Sequence, residues 1–142
     1  MSEFDFFNTK AHRVITKWFQ PYNILESAKK YFELSDYTFN GMNKFDFMEE
    51  FLDEIKTSSK SVITLGLYMK NVNKFYVLKL KKEFNEKDDI SALHNLLLTK
   101  EFSFSEEDEK NQNGINYITD TDKAFNMIDM GKAEASFIMN VA

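Results

Sequence analysis

The sequence predicts an α+β domain: a mixed β-sheet built on a central antiparallel hairpin at about 61–82, with about four helices packed on it. Three observations carry this. Ser61 to Lys82 reads SVITLGLYMKNVNKFYVLKLKK, two apolar β-prone runs joined by a short polar turn. On either side, segments with apolar residues at helical spacing alternate with short β-prone runs. The chain has 142 residues with 15 Phe, 6 Tyr, 1 Trp, 1 Pro and 4 Gly, a composition for one domain with an ordinary core rather than a linker.

Residues 1–10 form a lead-in, in which Phe4, Phe6 and Phe7 are unusual for a free tail. A single domain follows over 11–142. His12 to Thr16 is β-prone and gives a first strand. Pro21 suits a helix start, because its missing N–H and fixed φ cost nothing there. Asn23 is a candidate N-cap, and Leu25, Ala28 and Phe32 recur at helical spacing. Leu34 to Phe39 gives a second strand, broken by Asn40-Gly41. Asn43 then caps a helix with Met48, Phe51, Leu52 and Ile55 on one face and Glu49, Glu50, Asp53 and Glu54 on the other.

In the hairpin, Val62 to Met69 is apolar at nearly every position, which fits a strand covered on both faces. Gly66 within it marks a bulge or a close approach of another group. Asn71-Val72-Asn73 is the turn. Tyr76, Leu78 and Leu80 alternate with Val77, Lys79 and Lys81 on the return. Asp88 or Asp89 starts a third helix with Ile90, Leu93, Leu96, Leu97 and Leu98 as its stripe. Ser103 to Gly114 reads as a solvated loop, including the acidic run Glu106 to Glu109. Ile115 to Thr119 is another short strand. Thr119-Asp120-Thr121 is a strong start signal for a fourth helix, with Ala124, Phe125 and Ile128 inward and Gly131 at its end. Ala135 to Val141 reads as the last strand. No internal repeat is present.

Charge and composition remove several function classes. The net charge is −5 and the 18 basic residues are scattered, which argues against nucleic-acid and anionic-membrane partners. There is no Cys, so disulfides, thiolate catalysis and Cys-based zinc sites are excluded. No apolar run approaches the ~20 residues needed to cross a bilayer. The start, Met-Ser-Glu-Phe-Asp, lacks a signal-peptide pattern, and a cytoplasmic protein of bacterial type is the default expectation.

No catalytic motif is found. There is no G-x-S-x-G, no P-loop and no G-x-G-x-x-G, so no catalytic residue and no cofactor is assigned. Glu109 to Asp120 places Gly114 where a calcium loop has its sixth-position glycine. Its first, eighth and twelfth residues are wrong for that loop, and no metal is expected. The one site-like feature is His12 beside Arg13. As an exposed pair they could bind an anionic ligand. The plainer alternative is a strand-edge pair in surface contacts, replaceable by alanine within about 0.5 kcal/mol. His94 reads as a half-buried helix histidine bonded to a neighbour, because no second ligand stands three or four residues away.

The order of segments carries a resemblance. AHRVIT, then GLYM with YVLKLK, then DISALHNLLL, then INYITDTDKAFNMIDMGKAEASFIMN resembles the C-terminal half of the domain-of-unknown-function 1015 family, over Ala11 to Asn140. That family consists of larger conserved bacterial and archaeal proteins. Its most polar motifs, Asp-Gly-His-His-Arg and Met-Pro-Pro-Lys-Ser, have no counterpart here. The resemblance implies a non-catalytic structural or accessory domain, a fragment or shortened relative of a larger protein. Of the family's site-like positions it carries over only His12 and Arg13. Two alternatives stand beside it. One is part of a small-molecule-binding or enzyme domain whose key motifs lie outside this chain. The other is a module that homodimerises through a sheet edge.

Overall fold

The computed structural model describes residues 10–140. Residues 1–9 of the lead-in, and Val141 of the expected last strand, lie outside them. The strands are β1 (His12–Ile15), β2 (Phe32–Thr38), β3 (Thr64–Met69), β4 (Lys74–Leu80), β5 (Ile115–Ile118) and β6 (Ala135–Ile138). The helices are α1 (Pro21–Lys29), α2 (Lys44–Ser58), α3 (Asp89–Ala92, continuing as a π-helix over Leu93–Thr99), α4 (Glu106–Lys110) and α5 (Thr121–Asp129).

The class is α+β, with β3 and β4 as the hairpin at its centre. The six strands form one sheet in the order β2-β4-β3-β6-β1-β5. Every neighbouring pair in it is antiparallel, so the alternation of strands and helices does not produce parallel neighbours. The pairings give the reason. β2-α2-β3 joins two strands that run the same way, but β4 lies between them and runs against both. β5-α5-β6 does the same around β1. Both of these strand–helix–strand units are split by a third strand.

Helices cover both faces. On one, α2 and α5 bring Phe51, Ile55, Phe125 and Ile128 onto Val14, Phe75 and Val77. On the other, α1 and the α3–π segment bring Ile24, Ala28, Leu93 and Leu97 onto Leu65, Leu67, Leu78 and Phe137. This explains why β3 is apolar at almost every position: all six of its residues are buried. The edges of the sheet are β2 and β5. Glu33 and Asp36 are exposed on β2, and charge on an edge strand discourages pairing with another sheet.

Two of the four expected caps form. Asp120 accepts from the N–H groups of Asp122 and Lys123, and Asp88 from that of Ser91. Asn43 holds the N-cap position of α2 without a side-chain capping bond, while Asn23 lies inside α1, which starts at Pro21 behind Gln20. Asn71 in the hairpin turn has φ of 64° and Gly131 has φ of 72°.

Gly66 is a point of close approach, not a bulge, since its register with Val77 is continuous. A Cβ there would lie 2.3 Å from Phe51 Cζ. That ring stacks on Phe75 at 5.1 Å and meets Phe125 edge-on at 6.2 Å, so it has little room to retreat. Gly66→Ala is expected to cost about 1–3 kcal/mol through overpacking. Urea denaturation reads this directly, and a loss below about 0.5 kcal/mol would show that Phe51 moves freely.

Candidate functional site

His12 and Arg13 are consecutive on β1, so the period-two alternation of a strand sends them to opposite faces of the sheet. Both are fully buried, at 0% exposure. This corrects the expected surface pair. β1 is not an edge strand: it lies between β6 and β5 with helices over both its faces. The two side chains therefore cannot share a ligand.

On the α2–α5 face, the Met139 N–H donates to His12 Nδ1 at 3.0 Å. The ring proton is then on Nε2, which donates to Thr121 Oγ1 at 2.8 Å. Burial, reinforced by the Arg13 guanidinium and opposed by Asp120, lowers the His12 pKa to about 4. His12 is thus a neutral connector between β1, the chain after β6 and the start of α5. It also sits in the floor of a groove. Lys44 at the start of α2 bonds Asp129 at the end of α5, at 2.7 Å, so the two helices run antiparallel. Where α5 begins, a groove of about 460 Å³ opens beside α2, with His12, Ile55 and Met139 at its base and Glu49, Asp53 and Lys56 along its rim.

On the opposite face, the Arg13 Nε–H donates to His94 Nε2 at 3.0 Å. His94 Nδ1–H donates in turn to Glu109 Oε1, also at 3.0 Å. The guanidinium lies 4.6 Å from the centre of the Tyr117 ring and bonds the Ala11 carbonyl. Burial pushes the Arg13 pKa down, and Tyr117, Asp89 and Glu109 partly offset this. Arginine nevertheless stays charged. The same burial, with Glu109 adding and Arg13 opposing, raises the Tyr117 phenol to about 12. Lys10 closes the cluster on Asp89 at 2.5 Å.

Glu109 corrects a second expectation. It is 6% exposed and bonded to His94, not part of a solvated acidic face. The stretch expected as a loop forms the short helix α4. Ser105 caps it by accepting from the Asp108 N–H, and Asp108 accepts from the Ser105 N–H in return. This capping box fixes where Glu109 points. Ser105→Ala is expected to lower stability by about 1 kcal/mol, read from the denaturation midpoint. No change would show that Glu109 is positioned without the cap.

The chemistry open to this cluster is narrow. A histidine backed by a carboxylate can serve as a general base, but only through a free Nε2 lone pair. Here that lone pair is taken by Arg13. Among the described residues, no group of three or more His, Asp or Glu side chains could hold a metal ion. The two ends of the calcium-loop-like stretch serve different elements: Glu109 holds His94 and Asp120 caps α5. No helix among the described residues is long and apolar enough to cross a membrane.

The reading of His94 as a half-buried, hydrogen-bonded histidine agrees with its place, and its π-helical setting was not foreseen. Its partners come from β1 and α4, so a search along its own helix could not find them. Thr121 and the α2 rim were also missed. The one available signal was Glu49, Asp53 and Lys56 recurring at four- and three-residue spacing, which puts them on one helix face. No protein-family model, no curated protein and no solved structure matches this chain.

Proposed function

We propose that this chain is a non-catalytic accessory domain belonging to a larger protein, as the resemblance to the C-terminal half of the domain-of-unknown-function 1015 family implies. One observation supports this most. The two residues with site-like chemistry, His12 and Arg13, face opposite sides of the sheet and are both committed to internal hydrogen bonds. The acidic net charge of −5 fits a cytoplasmic domain without nucleic-acid or anionic-membrane partners. The test is turnover of ester, phosphate-ester and glycoside model substrates by the purified chain, beside His12→Gln and His94→Gln. No turnover above the variants is expected. Turnover abolished by either change, with the fold intact, would overturn the reading.

The groove favours a second role compatible with the first, binding of a small molecule without catalysis. Its volume of about 460 Å³ lies in the range of small-ligand sites, and it combines an apolar base with a polar rim. The residues that would complete an enzyme site lie outside this chain in that reading.

A further inference from the structure

We propose that the groove between α2 and α5 takes a small organic amine, a cationic head on a short aliphatic body; this rests on the small-molecule reading of that groove. The walls set the body. Leu52, Ile55 and Met139 give an apolar surface, and His12 below them is neutral, with both ring nitrogens occupied. The rim sets the charge. Glu49, Asp53 and Asp122 supply three carboxylates against the single ammonium of Lys56. None of these four side chains makes an ion pair or a side-chain hydrogen bond among the described residues.

Glu49 and Asp53 stand four residues apart on one face of α2, a spacing at which like charges repel. Lys56, three residues beyond Asp53 on the same face, offsets only part of that negative charge beside the apolar base. A cation between the carboxylates removes the repulsion, while an anion would meet two unbalanced negative charges. A cleft lined mainly by one sign of charge also concentrates ligands of the other sign. The volume suits one small ligand better than a folded partner.

The test is titration of the ¹⁵N-labelled chain with n-pentylamine, pentanoate and 1-pentanol, followed by amide chemical shifts. The amine is expected to give saturable shifts at Leu52, Asp53, Thr121 and Met139, weakening as salt is raised. Glu49→Gln with Asp53→Asn, both exposed, is expected to weaken it by about tenfold or more. Equal or better binding of pentanoate or pentanol at these residues would overturn the amine assignment and leave the groove as a small-molecule site. Amine shifts that ignore the double variant would overturn it too. No shift at the groove with any of the three would overturn the amine assignment and the small-molecule reading together.

Discussion

Arg13→Ala is expected to destabilise the domain by about 3–5 kcal/mol, the cost of removing one partner from a buried charged network. The change leaves Glu109 buried without its cation and His94 Nε2 without its donor, and it opens a void beside Tyr117. Lysine will not rescue it, since an ammonium cannot both reach the His94 nitrogen in the guanidinium plane and stack on the Tyr117 ring. If uncompensated charge is the cause, removing the whole network should recover most of the loss. The combined Arg13→Met, His94→Leu and Glu109→Leu chain is therefore expected to be much more stable than Arg13→Ala alone. Urea unfolding of the three proteins decides this. A loss below about 0.5 kcal/mol for Arg13→Ala would return Arg13 to the surface role its sequence context suggests.

The second large effect is acid sensitivity through His12. Its folded-state pKa is about 4, below the ordinary histidine value of 6.5, chiefly because it is buried and next because Arg13 is close. A group whose folded pKa is lowered binds protons more readily in the unfolded chain. His12 therefore leaves stability untouched above pH 6.5. It erodes stability as pH falls from 6.5 to about 4, by up to about 3 kcal/mol in total. Within that window the slope should reach about 1.4 kcal/mol per pH unit beyond what the carboxylates contribute. Denaturation across the window, with wild type and His12→Gln compared, isolates this term. Equal slopes would mean that His12 titrates alike in both states.

The hairpin, the caps at Asp88 and Asp120 and the turn residues Asn71 and Gly131 were legible in the sequence. Each is decided by side chains within a few positions of one another. Gly66 was legible as a special position, though which group approaches it was not, because Phe51 comes from another element. The all-antiparallel pairing was not legible. It depends on β4 and β1 entering between strands joined by a helix, and local sequence says nothing about insertion order. The helix α4 could have been found, since Ser105 and Asp108 have capping-box spacing.

The burial of His12 and Arg13 was least accessible. A His-Arg pair on a short β-prone segment reads the same exposed or buried. Burial is decided by His94, 81 positions away from Arg13, and by Thr121, 109 positions from His12. The groove is legible only as one rim. Its base is assembled from β1, α2 and the chain after β6, three segments distant in sequence.

The central claim is that the two histidines are internal connectors on opposite faces of the sheet rather than members of one catalytic site. Imidazole ¹⁵N spectra test it most directly, because the two hydrogen-bond patterns require opposite tautomers. His12 receives the Met139 N–H on Nδ1 and so must carry its proton on Nε2. His94 receives the Arg13 N–H on Nε2 and so must carry its proton on Nδ1. One ring of each tautomer is predicted, with His12 neutral at pH 7 and unchanged until the pH nears 4. The same tautomer in both rings, or a His12 ring that titrates near 6.5 as a free histidine does, would contradict the account.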